Sequence, residues 1–348
     1  MANRRFMLAP RLLGVLLASG AAASCLLGPA EHASTGTSLV DSAFAEAGRL
    51  ANLTSLVVVH DGKVERQLYL NGGGADTAQD VRSVTKSIVA LLVGIALDRG
   101  CVQSLDQTLA DLLGPLAPAD TARRAITLRQ LINMTSGLGG NELANVDLYN
   151  QWALAPDQLT YVWGVPFVSA PGTQFNYYSP NFYVASRILT QACGQETAGF
   201  ARDVLFAPLG IGPRTWETDD QGYANGGAGL QLTPMDMVAI GKLVLDSGRA
   251  GGVQVVPSAW IRSATTTTIA TTAEPSVTGY GYGWWIGQAA GAPYVMAMGW
   301  GGQFIVVVPS KRLIVTATAR WQGLGQTIAG AQWFAIDSLI LQRIVPAY

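Results

Sequence analysis

The sequence predicts a mixed α/β (α+β) fold. One antiparallel sheet, flanked by helices, is built from both ends of the chain, and a mainly helical lobe is inserted between them. Three observations predict it. Two strand-like runs, 56–60 and 64–70, flank Asp61-Gly62, and paired runs around Asp-Gly are a strong hairpin signal. Residues 100–240 carry helix starts and stops separated by long loops. The last third returns to β-branched and aromatic runs before a closing helical stretch.

The elements follow in order. The hairpin ends at Asn71-Gly72-Gly73-Gly74. Residues 83–98 form a helix closed by Gly100, apolar on nearly every side over 88–97. Such a helix belongs inside a large core, and it falls well short of the roughly 20 residues that cross a bilayer. Residues 126–132 open a helix that Thr135-Ser136-Gly137 stops, and 181–192 form another that ends near Gly194. Thr233 is placed to cap, and Pro234 to open, a helix running to Leu245. Strands are expected at 281–286, 294–298, 304–308 and 313–317, with 331–345 as the closing helix. Residues 1–30 read as a leader and linker and 35–348 as one domain. Its α/β lobe covers about 45–75 and 240–348, and its helical lobe about 76–239.

Composition narrows the partner. Only 13% of the 348 residues are charged, the net charge is −1, and no basic stripe exists. Nucleic acid is therefore excluded, and a small, mostly uncharged molecule is expected. Arg4 and Arg5 precede an uncharged run over 12–27 that contains Ala21-Ala22-Ala23-Ser24. That is the pattern of a cleaved export leader rather than a retained span, so a periplasmic or extracellular protein is expected. Arg4-Arg5 also suits twin-arginine export, and Cys25 is a candidate lipid anchor. Cys101 and Cys193 are the cysteines then left to pair, which their spacing leaves open. No metal-ligand spacing is present, and neither metal nor cofactor is expected.

The chemistry must do without histidine. There is no G-x-S-x-G elbow. His32 lies near the leader, and His60 sits in the hairpin turn beside Asp61, where a polar residue needs no catalytic reason. Ser83-Val84-Thr85-Lys86 offers an alternative. Residues three apart share a helix face, so the amine can reach the hydroxyl. The helix start supplies free N–H groups for a developing oxyanion, and burial drives a lysine toward its neutral form. The plain alternative is a capping serine and a solvated lysine; the apolar run that follows Lys86 favours chemistry. A second cluster runs from Pro171 through Tyr177 and Tyr178 to Ser179. A tyrosine phenolate beside a lysine can act as a general base, or the rings can pack around a turn. A third cluster, Gly299-Trp300-Gly301-Gly302-Gln303, precedes an expected strand. Its glycines either admit a ligand to the backbone, with an edge N–H as oxyanion donor, or form a tight turn.

Together S-x-x-K, P-G-x-x-x-x-Y-x-S and W-G-G resemble the serine β-lactamase-related, penicillin-binding-protein-like family. That family includes class C β-lactamases, D-alanyl-D-alanine peptidases, family VIII carboxylesterases and 6-aminohexanoate-dimer hydrolases. The resemblance runs from about residue 56 to the end and includes 82–87, 131–138, 229–234 and 299–308. It implies a β-lactamase/transpeptidase-like fold. It also implies Ser83 as the nucleophile that forms an acyl-enzyme and Lys86 as the group that assists its deprotonation. Tyr177, six residues after Pro171, would shuttle a proton to the leaving group. The N–H groups of Ser83 and Gln303 would form the oxyanion hole, with Gly302, Trp300 and Ser179 at the substrate.

Two departures matter. Ser179 stands where the family's Tyr-x-Asn has Asn, and Trp300 where its third motif has Lys or His. Trp300 cannot ion-pair a substrate carboxylate; it offers an apolar face and one indole donor. The expectation is a serine hydrolase acting on a neutral ester or amide, carboxylesterase- or amidohydrolase-like. A β-lactamase or D-alanyl-D-alanine carboxypeptidase is the alternative, favoured if an arginine such as Arg320 supplied the missing charge. A non-catalytic sensor of the same fold is the third reading. Tyr282, Trp284 and Trp285 either line an apolar pocket or fill the sheet core.

Overall fold

A computed structural model describes residues 34–348 except residue 273. The expected leader, Cys25 and His32 lie outside the described residues.

The expected hairpin is β1 (Leu53–His60) and β2 (Lys63–Tyr69). Asp61 and Gly62 join them at φ of 46° and 78°, the left-handed pair that a two-residue type I′ turn requires. Six later strands complete the sheet: β3 (Ile269–Ala270), β4 (Val277–Tyr280), β5 (Trp285–Ala289), β6 (Ala292–Gly299), β7 (Gln303–Val308) and β8 (Leu313–Ala319). Their order is β2-β1-β8-β7-β6-β5-β4-β3, with every neighbouring pair antiparallel. The first and last strands of the chain thus lie side by side, and the helical segments are inserted between β2 and β3. The larger helices are α1 (Ser34–Ala47), α2 (Val84–Asp98), α3 (Pro180–Cys193), α4 (Pro234–Leu245) and α5 (Gln326–Leu339).

Both faces of the central strands are covered. A Cβ on Gly241 of α4 would meet Ile314 and Ile305 side chains at 2.6 and 3.3 Å. Trp333 of α5 lies 5.7 Å from the ring of Phe304. Ile305 and Phe304 are consecutive and so point to opposite faces. This explains why β7 and β8 are buried at every position rather than at alternate ones.

The helix α2 is buried through its first thirteen residues. Trp260 packs flat against it at Gly94, where an added Cβ would stand 2.1 Å from the indole, and the indole N–H donates to the Ala90 carbonyl at 2.9 Å. Gly94→Ala is therefore expected to cost about 1–3 kcal/mol by overpacking, read from urea unfolding midpoints.

Two expectations shift. The strand expected at 281–286 is broken: β4 ends at Tyr280, β5 begins at Trp285, and a turn lies between. The turn docks on α2. Gly283, at φ 75°, donates to the Ile132 carbonyl at 3.1 Å and accepts from the Ser87 hydroxyl at 2.5 Å. A Cβ there would lie 2.9 Å from the Lys86 carbonyl oxygen, so only glycine allows the approach. The closing helix begins earlier than expected, at Gln326, and α-helical geometry ends at Leu339, giving way to a wider π turn over Ile340–Ile344.

Cys101 and Cys193 are free thiols, and burial, with Cys101 adding to it, raises the Cys193 thiol well above its usual value. No helix among the described residues is long and apolar enough to cross a membrane.

Candidate active site

Ser83 stands immediately before α2, and the chain turns sharply to put it there. Arg82 has φ 50°, a left-handed conformation uncommon for a non-glycine residue. Asp80 holds the turn by accepting the Arg82 N–H at 2.7 Å and a guanidinium N–H at 3.4 Å. One turn on, the fully buried Lys86 reaches back. Its Nζ lies 2.8 Å from Ser83 Oγ and 2.7 Å from the carbonyl oxygen of Gly227. Burial pushes this amine down to about 7; the Glu142 carboxyl resists and the Arg82 guanidinium adds to the fall.

Tyr177 closes the group. Its ring stacks on Trp285 at 5.4 Å, and its centroid is 5.0 Å from Lys86 Nζ. Burial drives its phenol well above the ordinary value, against a hydrogen bond with Ser83. Burial thus favours the protonated phenol. Tyr178 points elsewhere: its ring packs under Gly139, where a Cβ would sit 2.6 Å away. The spacing from Pro171 thus selects the tyrosine that meets Ser83.

Ser179 is buried and faces Glu142, giving its N–H at 2.7 Å and its hydroxyl at 2.6 Å to that carboxylate. Burial raises the Glu142 carboxyl, while Lys86 and the two Ser179 bonds pull the other way.

The third cluster needs correcting. Met298, Gly299 and Trp300 line the cavity; Gln303 and Gly302 do not. Gln303 is fully buried opposite Gly299 in the ladder, and its side-chain amide is spent on both backbone groups of Ala319, at 2.8 and 3.2 Å. Gly302 backs onto α5, where a Cβ would be 2.5 Å from Ile336. The backbone that faces Ser83 is therefore the end of β6. Gly299 lets it approach, since a Cβ there would lie 2.3 Å from the Val81 carbonyl oxygen. Neither the Ser83 nor the Trp300 N–H has an acceptor among the described residues.

These groups open on a cavity of about 560 Å³, within the usual range for small-molecule sites. Of the three aromatics singled out in the sequence, Trp285 lines it. Tyr282 instead stacks on Trp260 at 5.4 Å, and Trp284 is fully buried. Arg320 does not line the cavity; its backbone N–H and guanidinium bond the carbonyls of Asn52 and Asn71. His60 stays in its hairpin, paired with Glu65 at 3.2 Å. Sequence reasoning missed Arg82, Glu142, Gly227 and Glu274. The carbonyl of Gly227 had one signal, Asn225-Gly226-Gly227. The Asn225 side chain accepts the Gly227 and Ala228 N–H groups at 3.0 and 3.2 Å, and a Cβ on Gly226 would collide with the Phe182 carbonyl oxygen at 2.0 Å.

Comparison with known proteins bears on the family and the fold. The beta-lactamase family model matches residues 46–335. A 6-aminohexanoate-dimer hydrolase of Paenarthrobacter ureafaciens is 25% identical over 221 residues, covering 60% of this chain and 56% of that protein. Penicillin-binding protein 4 of Amycolatopsis lactamdurans is 32% identical over 139 residues, 37% of this chain and 33% of that protein. The chain thus spans about half the length, or less, of these curated relatives. Among solved structures, EstCE1, described as a hydrolase with promiscuous acyltransferase activity, superposes with a TM-score of 0.68 at 17% identity. It covers 86% of this chain and 99% of that one. A penicillin binding protein from Bacillus halodurans gives 0.66 at 18% identity, with 85% and 99% covered. With the family model spanning most of the described residues, the chain belongs to the beta-lactamase family, a group made up mostly of hydrolases.

Proposed function

We propose that the protein is a serine hydrolase that cleaves an ester or amide through an acyl-enzyme on Ser83. The observation that carries this is the 2.8 Å contact between Ser83 Oγ and a buried amine held near neutrality. Ser83 Oγ attacks the carbonyl carbon as its proton passes to neutral Lys86 Nζ. The carbonyl oxygen, now an anion, takes the free N–H groups of Ser83 and Trp300, a two-donor oxyanion hole. The tetrahedral species collapses, and the leaving oxygen or nitrogen takes a proton from the Tyr177 phenol, which Lys86 replenishes. Water then attacks the acyl carbon, and Ser83 recovers its proton.

Trp300 beside the reacting bond supplies no charge for a carboxylate. Arg82 reaches the cavity, but Tyr149 and Trp321 lie over its guanidinium at 5.0 and 4.4 Å, and Asp80 takes its N–H. An ester or amide without a carboxylate at that point fits better than a penicillin or a D-alanyl-D-alanine stem.

Incubation with a fluorophosphonate and, separately, a fluorescent penicillin tests this. The phosphonate alone is expected to label Ser83, located by mass spectrometry. Label from both reagents would make the enzyme a penicillin-recognising one, and label from neither would favour a sensor. Tyr177→Phe is expected to slow acylation by about two powers of ten or more, with Tyr178→Phe near the parent rate in the same stopped-flow assay.

A further inference from the structure

Four indoles stand in the wall of the cavity beside Ser83, and one carboxylate in that wall is unclaimed. Trp285, Trp300, Trp321 and Trp333 line it, and so does Glu274. No described residue hydrogen-bonds or ion-pairs the Glu274 carboxylate. The charge that acts on it, from Asp337, has the same sign, and burial with this neighbour pushes its carboxyl up to about 7. It lines the same cavity as Ser83 and Tyr177. The other charges of the wall have partners or face solvent. Glu142 is held by Ser179, Arg82 by Asp80 and two rings, and Asp147 is exposed at the start of a short helix.

A carboxylate with no described partner, in a cavity wall that also holds indoles, can receive a positively charged nitrogen. The rings attract a cation within about 6 Å of their centroids, and the carboxylate supplies the charge that a desolvated cation needs. Above about pH 7, where Glu274 is ionised, a substrate carboxylate would meet it with like charge. We propose that the pocket selects esters or amides that carry an ammonium group, with Glu274 as the specificity-determining residue. For turnover this rests on the Ser83 reading above; for binding it stands alone.

The two are therefore tested separately. In the full chain carrying Ser83→Ala, tryptophan fluorescence is titrated with phenyltrimethylammonium and with tert-butylbenzene, its uncharged isostere. The cation is expected to bind about tenfold tighter, and Glu274→Gln to bring the ratio to near one. In the unmodified protein, the kcat/KM ratio of a choline ester over the matching 3,3-dimethylbutyl ester is expected to be about tenfold, mostly in KM, and to collapse with Glu274→Gln. Equal binding of the two probes, or a preference that survives Glu274→Gln, overturns the proposal whatever the enzyme hydrolyses. Hydrolysis of both esters at one rate overturns it while leaving the acyl-enzyme intact. Selective binding of the cation with no turnover of any ester upholds the subsite and removes the acyl-transfer reading.

Discussion

Ser83→Ala is expected to lower kcat/KM for any ester substrate by roughly four to six powers of ten, the scale seen when a serine nucleophile acting as part of a unit is removed. The reason is positional. No other hydroxyl shares the place that the Arg82 turn and the start of α2 define, 2.8 Å from the Lys86 amine. The substitution removes one small polar atom from a half-buried position and leaves the helix start intact. The melting temperature is therefore expected to stay close to that of the parent, which separates lost chemistry from lost fold. Residual hydrolysis would come from the oxyanion donors and binding alone. Full hydrolysis in this variant would remove Ser83 from the mechanism.

Lys86→Met is expected to cost about three to four powers of ten in acylation, because the general base is gone. The pH profile of the parent enzyme reports the same amine. Its working form is neutral, and burial holds it at about 7. Below that pH the amine is protonated and has no lone pair to offer, so log kcat/KM should climb with unit slope up to about pH 7 and then flatten. The variant should lose that limb. Stability also reports this amine, between its folded and unfolded values. The folded lysine titrates below its unfolded value of 10.5, so over this window the unfolded chain binds more protons and the amine's penalty on folding grows as pH falls. Below about pH 7 the penalty is complete; above the unfolded value it vanishes. Lys86→Met removes it, so the variant should gain more stability at about pH 6 than at about pH 10, measured by urea unfolding. A gain that is equal at both would mean that the folded amine titrates normally.

How much of this was legible in the sequence depends on distance along the chain. Ser83 and Lys86 could be read because a helix fixes residues three apart without outside help. The Asp61-Gly62 hairpin could be read for the same reason: the turn is local chemistry. The single sheet with its helical insertion could be read because strand-like runs at both ends leave one economical sheet; its β-lactamase-like character came only from the resemblance that the three motifs carry. The hairpin between β6 and β7 was misjudged. The glycine cluster marks a close approach but not which N–H faces the cavity. That depends on Gln303 pairing with Gly299 and on Gly302 backing against Ile336, both tertiary facts. The broken strand at 281–284 has the same origin, since α2 rather than the local sequence dictates the turn. Glu142 carried no motif at all. It matters because folding sets its carboxylate against Ser179, 37 positions away.

The bond from Lys86 to the Gly227 carbonyl has a consequence for when the enzyme becomes reactive. An uncharged amine has two hydrogens and a single electron pair; committing one hydrogen to a peptide oxygen restricts where that pair can point. Here the oxygen belongs to a segment 141 positions downstream, tied down by the Asn225 amide oxygen. A chain still emerging from the ribosome carries its serine and lysine long before that anchor exists. On the acyl-enzyme reading proposed above, such a half-made molecule would be chemically quiet, and Ser83 would become reactive only once the distal loop has settled against the buried helix.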